Sequence, residues 1–311
     1  DFYYFYKERY NIIKHQREIA KSEEIPSLEK YRLKPNFMQE RFIANLRKIL
    51  EQGEERALLI SATGTGKTYA SAFAMRELGF KRVLFLVHRV TLAKQAKKSF
   101  EKVFDKKVTM GLVGAGFYEY EKDYVFATVE TLNRDTHLFQ YQPNAFDCII
   151  LDEAHHSSNN IYTKVINYFN PKLFLGMTAT PDKRDDNQEG KNIYEIFHYQ
   201  IAHEIRLQQA MEDNLLCPFH YFGISEVVSL DDKTLQAAKL TDEEFNQLTS
   251  DERVRHVIEQ SEYYGYSGDR VRGLIFCSRV KECEELSRKF NALGYRTVAL
   301  SGADNEEKRQ E

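Results

Sequence analysis

The chain has 311 residues, 42% hydrophobic and 29% charged, with a formal net charge of -3. That length and composition can bury more than one core and exclude a disordered polyelectrolyte. The near balance of charge gives no global attraction to a polyanion, so any such site must come from local clustering, and no apolar run is long enough to span a bilayer.

The opening stretch, DFYYFYKERY, has neither the apolar core of a signal peptide nor an initiating Met. The expectation is a soluble, cytoplasmic piece of a longer chain. Residues 34–46, KPNFMQERFIANL, read as an amphipathic helix carrying Gln39. From residue 57 short apolar runs alternate with helical patterns: ALLIS (57–61), VLFLV (83–87), YVFAT (124–128), CIILD (148–152) and LFLGM (173–177). Continuous apolar runs indicate strands covered on both faces, and intervening helices indicate parallel crossovers, so the fold class is α/β with a doubly wound parallel sheet. Two of the helices are placed over 69–78, stopping at Gly79, and over 91–104, where Lys94, Lys97, Lys98 and Lys102 form a solvated face.

The first strand runs into ISATGTGKTYASAF (60–73). A glycine-rich turn between a strand and a helix aims backbone N–H groups at one point, where the helix N-terminus adds partial positive charge. Phosphate oxygens fit that point. Thr63, Gly64, Thr65 and Gly66 supply the loop, Lys67 reaches the phosphates, and the Thr68 hydroxyl is a ligand for Mg²⁺. The strict spacing GxxxxGK[ST] asks for glycine where Ser61 stands. A second apolar strand ends in IILDEAHH, which delivers Asp152 and Glu153 to the carboxyl edge of a parallel sheet. Asp152 suits the metal, and Glu153 suits positioning and deprotonating a water. His155 and His156 suggest a metal pair, but adjacent residues on such a turn diverge and no third ligand is evident.

ATGTGKT, DEAH and GMTATP (176–181), in that order, closely resemble superfamily 2 helicases of the DEAH, restriction and DNA-repair type. The resemblance covers about residues 31–311 and implies a RecA-like P-loop NTPase domain followed by the start of a second RecA-like domain. It implies ATP and Mg²⁺ as cofactors and nucleic acid, with DNA favoured, as partner. Gln39 resembles the adenine-reading glutamine. His88, Arg89 and Gln95 in VHRVTLAKQ, and Thr128 in ATVETL, resemble backbone-contacting motifs, and Arg279 in LIFCSR is a further candidate contact. Thr178 and Thr180 resemble the element that couples nucleotide state to strand binding, with His155 joining it to the DEAH site. The implied layout is an N-terminal lead-in over 1–30, an ATP-binding domain over 31–205, a mostly helical connector over 206–265 and the opening of a second motor domain over 266–311. The aromatics of DFYYFY either stack bases or pack against neighbouring domains.

Within that layout DKRDDNQEGK (182–191) reads as a polar loop and residues 193–216 as a largely helical return. GLIFCS and RTVALSG read as strands flanking the helix VKECEELSRKFNALG. Cys148, Cys217, Cys277 and Cys283 show no CxxC pairing and read as reduced thiols. The family's ATP-site arginines belong to a later motif, so residues 1–311 alone are expected to bind nucleotide and hydrolyse it poorly. The similar bacterial proteins also imply domains upstream and downstream. The competing reading is a nucleotide-gated switch or assembly module in which ATP binding controls a partner without translocation.

Overall fold

The computed structural model describes residues 33–104, 108–156, 160–181, 192–223, 248–266 and 270–304. The chain divides into two compact units, Asp1–Pro218 and Phe219–Glu311. Residues 1–30, the loop 182–191 and most of the connector before residue 248 lie outside the described residues.

The described residues of the first unit begin with α1 (Phe37–Glu51), whose N-terminus is closed by a reciprocal cap: Gln39 N–H donates to the Asn36 side chain, and Asn36 N–H donates to Gln39 Oε1. Then follow β1 (Arg56–Ser61), α2 (Lys67–Glu77), β2 (Val83–Val87), α3 (Val90–Val103), β3 (Met110–Gly114), β4 (Phe117–Tyr118) and β5 (Tyr124–Thr128). The short α4 (Val129–Leu132) and α5 (Asp135–Leu138) lead to β6 (Cys148–Asp152), α6 (Asn160–Tyr168), β7 (Leu173–Thr178), α7 (Ile193–Ile196), β8 (Ile201–Ile205) and α8 (Leu207–Glu212). The sheet order is β4-β3-β5-β2-β6-β7-β1-β8, with every pairing parallel except the β3–β4 hairpin.

Alternate residues of the central strands feed two separate cores. Leu59, Phe85, Phe126, Ile150 and Leu175 pack with α1, α2 and α3, through residues such as Phe42, Phe73 and Phe100. Leu58, Leu84, Val125, Ile149 and Phe174 pack on the opposite face with Leu132, Leu138, Val165 and Phe197. Both faces are therefore dry, which is why these strands are apolar without alternation. Gly176 in β7 lies under Phe197: a Cβ built there falls 2.5 Å from the ring. Gly176→Ala is expected to destabilise the unit by about 1–3 kcal/mol through overpacking, seen as a lower urea midpoint with unchanged slope.

Three strands depart from the expectations. β3 and β4 were not among the five apolar runs, because MGLVG is short and interrupted by two glycines and the two-residue β4 is exposed. Ile201–Ile205 is a strand inside the supposed helical return; Ala202 and Ile205 are buried while Ile201 and Glu204 are exposed, a pattern without two-residue alternation in a strand whose pairing with β1 carries a register shift.

The second unit contains α9 (Asp251–Tyr264) and α10 (Val280–Ala292), which share a small core of Val254, Leu286 and Phe290. The helix expected between the two apolar runs forms, but the runs themselves make no strand ladder among the described residues, and Leu274 and Phe276 are 84% and 91% exposed. Cys148 is buried in β6, Cys277 is half-buried, and all four cysteines are free thiols.

Candidate functional site

β6, β7 and β1 are adjacent and end together at Asp152, Thr178 and Ser61, so the chemistry-bearing residues gather at the carboxyl edge of the sheet. After Ser61 the chain turns through Gly64 (φ 91°) and Gly66 (φ 89°), both left-handed, before α2 begins at Lys67. The left-handed conformation and the close approach both call for glycine: a Cβ at Gly64 would sit 3.0 Å from Leu216 Cδ2, and one at Gly66 3.1 Å from Gln39 Nε2.

Ser61, the departure from the strict spacing, is wholly buried and braces the loop. Its hydroxyl bonds to the Thr65 hydroxyl, which in turn donates to Ala62 O at 2.7 Å. The Thr65 side chain therefore shapes the loop from inside, while Thr63 and Gly64 are exposed at its tip. Gln39 is buried beside the loop; its Oε1 is committed to the α1 cap, and its Nε2 lies 3.4 Å from Gly66 O. Lys67 Nζ donates to Ser61 O at 3.0 Å. Burial lowers the Lys67 ammonium pKa, opposed by the charges of Glu153 and Asp152.

Opposite the lysine, burial and then the like charge of Glu153 push the Asp152 carboxyl up to about 6, against the pull of Lys67 and of the Glu153 N–H. Glu153 has left-handed backbone (φ 51°), uncommon for a residue with a Cβ, and its N–H donates to Asp152 Oδ1 at 3.1 Å. That geometry turns its side chain to His155, whose Nδ1 is 3.3 Å from Glu153 Oε2 and 3.0 Å from Thr178 Oγ1. Thr178 is fully buried and accepts from Thr180 N–H at 3.1 Å. Four sequence candidates, Glu153, His155, Thr178 and Thr180, are thus one continuous polar chain from the end of β6 to the end of β7. Among the described residues no cluster of three or more His, Cys, Asp or Glu suits a metal. Tyr162 of α6 was not singled out from sequence: its hydroxyl is buried without a partner, and burial, then Asp152 and Glu153, push it up to about 12. Only the position of α6 under the acidic turn reveals it.

The polymer candidates divide. His88 and Thr128 line one cavity of about 340 Å³ at the carboxyl ends of β2, β3 and β5, together with Gly114, Gly116, Thr131 and Arg134. Thr128 is largely buried and caps α4, bonding the Thr131 hydroxyl at 2.8 Å. Arg89 and Gln95 are exposed at the start of α3 and do not line that cavity. Arg279 belongs to the second unit, where it precedes α10.

Residues 32–183 match the family described as type III restriction enzyme, res subunit. The matched span contains the phosphate-loop turn, the acidic pair and Thr178–Thr180. The EcoAI type I restriction enzyme endonuclease subunit of Escherichia coli is 25% identical over 82% of this chain and 34% of its own length. The putative ATP-dependent helicase IRC3 of Saccharomyces cerevisiae is 30% identical over 59% of this chain and 28% of its own length. The chain thus spans about a third of these relatives. The solved Hef helicase domain of Pyrococcus furiosus aligns with a TM-score of 0.48 at 17% identity, over 83% of this chain and 53% of that one. No helix among the described residues is long and apolar enough to cross a membrane.

Proposed function

We propose that this chain is the ATP-hydrolysing motor portion of a superfamily 2 helicase or translocase that moves along or remodels DNA. The observation that carries the reading is the half-buried Lys67 set against Asp152 and Glu153, with Glu153 tied through His155 to Thr178. A structural ion cluster needs no left-handed glutamate and no glycine-lined turn beside it. Gly64, Gly66 and the N-terminus of α2 receive phosphate oxygens, and Lys67 leaves Ser61 O to meet them. Gln39, touching Gly66, reads whether the loop is occupied and, once released from its cap, the adenine.

Mg²⁺ fits the donor set: it keeps several waters and takes one or two protein oxygens, here the Thr68 hydroxyl and the Asp152 carboxylate. When bound it neutralises phosphate charge. Glu153 positions and deprotonates the attacking water. His155 Nδ1 has one bonding position for two partners, so it serves Glu153 or Thr178, or divides its proton between them. That shared atom couples the state of the hydrolytic site to the β7 end and to Thr180. His88, Arg89, Gln95, Thr128 and Arg279 are assigned to the nucleic-acid side, residues 266–311 to the opening of a second motor domain after a 206–265 connector, and further domains to both sides. The free thiols support a reducing compartment, the cytoplasm.

The Asp152 shift has a consequence for pH. A carboxyl pKa raised from 3.8 to about 6 binds its proton more tightly in the folded chain than in the unfolded one, so it contributes stability that is fully present below 3.8 and lost as pH rises through about 6. Magnesium requires the carboxylate. Mg²⁺-dependent nucleotide affinity should fall about tenfold per pH unit below about 6, and Asp152→Asn should flatten the dependence. Titration of a fluorescent ATP analogue with Mg²⁺ across that range checks it.

Steady-state ATP turnover of a longer chain that carries the later arginine motif, with single-stranded DNA, duplex DNA or RNA, tests the main reading. Stimulation by DNA supports the motor. ATP binding with no stimulation by any polymer would transfer the assignment to the nucleotide-gated switch.

A further inference from the structure

The cavity at the ends of β2, β3 and β5 sits beside the nucleotide edge, since β2 adjoins β6. Over it stands a hairpin. Val113 pairs with Tyr118 and Gly114 with Phe117, leaving Ala115 (φ 47°) and Gly116 (φ 88°) as a two-residue turn with both centres left-handed, the form that matches strand twist. The backbone pairing therefore sets where Tyr118 stands. Its ring is parallel to that of His137, 4° between planes and 5.6 Å between centroids, and lies at 23° and 6.3 Å to Tyr120. The Tyr120 hydroxyl bonds His137 Nδ1 at 2.6 Å, so the two inner rings are locked together. Tyr118 is the outer ring and remains 58% exposed at the cavity wall.

Arg134, His88 and the Glu130 carboxylate line the same cavity, while Lys94 Nζ lies 5.3 Å from the centroid of the Phe117 ring on the other face of the strand. Arg134 is paired with Glu130 at 3.6 Å, with both side chains well exposed, a contact weak enough to be exchanged for a phosphate. A flat, pre-ordered aromatic face with an exchangeable guanidinium beside it is the chemistry that holds an unpaired base and its phosphate. Tyrosines packed only to close a surface would not leave the outermost ring open.

We propose that Tyr118 is a stacking platform for an unpaired nucleobase, with Arg134 holding the adjoining phosphate, so that this edge engages single-stranded rather than duplex nucleic acid. The inference rests on the motor reading above and names the form of polymer met at this face. Fluorescence anisotropy should be measured for a labelled oligothymidylate, an abasic oligomer of equal length and a matched duplex, with wild type, Tyr118→Ala and Tyr118→Phe. Loss of one stacked base should weaken oligothymidylate binding by Tyr118→Ala about tenfold, with abasic and duplex binding within about twofold of wild type and Tyr118→Phe close to wild type. Equal loss on all three probes, loss in the Phe variant, or no loss anywhere would overturn the platform while leaving the motor intact. Wild type that binds no probe and whose ATP turnover no polymer stimulates would overturn the motor reading and the platform together.

Discussion

Glu153→Gln is expected to leave ATP affinity within about threefold of wild type and to cut polymer-stimulated turnover by about 10²–10⁴-fold, the usual contribution of a general base. The substitution keeps the length of the side chain and its ability to bond His155, and it removes only the charge that accepts a proton. It also removes the like charge that helps raise the Asp152 carboxyl, so nucleotide–magnesium binding should hold or tighten slightly. The measurement is a pair: equilibrium binding of a fluorescent ATP analogue, and single-turnover hydrolysis. Wild-type hydrolysis in the variant would remove Glu153 as the base and leave its strained backbone and its bond to His155 without a catalytic purpose. Equal losses in binding and turnover would point to a collapsed acidic turn.

Lys67→Ala has the opposite signature. The ammonium sits at the phosphate loop against the acidic pair, and its removal takes away a charge that offsets Asp152 and Glu153 before the incoming phosphates. The expectation is a loss of about 10²–10³-fold in turnover, with ATP affinity lowered as well, because the charge acts on ground state and transition state alike. Fold should survive: the lysine makes a hydrogen bond to Ser61 O but belongs to neither large core. Far-UV circular dichroism with nucleotide titration separates the two. Unchanged kinetics would remove the phosphate-loop assignment.

Much of this was legible before any coordinates. The central strands announce themselves because burial on both faces forces VLFLV and CIILD to be apolar throughout, and GTGKT and DEAH are local in sequence, each held within one turn. Ser61 was readable as a departure, but not as a brace: its partner Thr65 is four residues on, and only the folded loop brings the two hydroxyls together. Gln39 was readable as a candidate, yet its contact with Gly66 spans 27 positions. The edge strands were hidden for a physical reason. MGLVG is interrupted by two glycines and IAHEI carries His203 and Glu204, so they give little hydrophobic signal and depend on strands distant in the chain, β5 and β1, for their pairing.

By itself the amino-acid sequence determined the α/β class, the order of the central strands and helices along the chain, and the residue types able to hold phosphate and activate water, because these depend on local pattern and on chemistry carried within a few residues. Tertiary structure alone decided which strands are neighbours, and with that the line of contact from Glu153 through His155 to Thr178 and the standing of Tyr118 over its cavity. Such pairings join residues far apart in the chain, and hydrophobic periodicity specifies burial without specifying the partner.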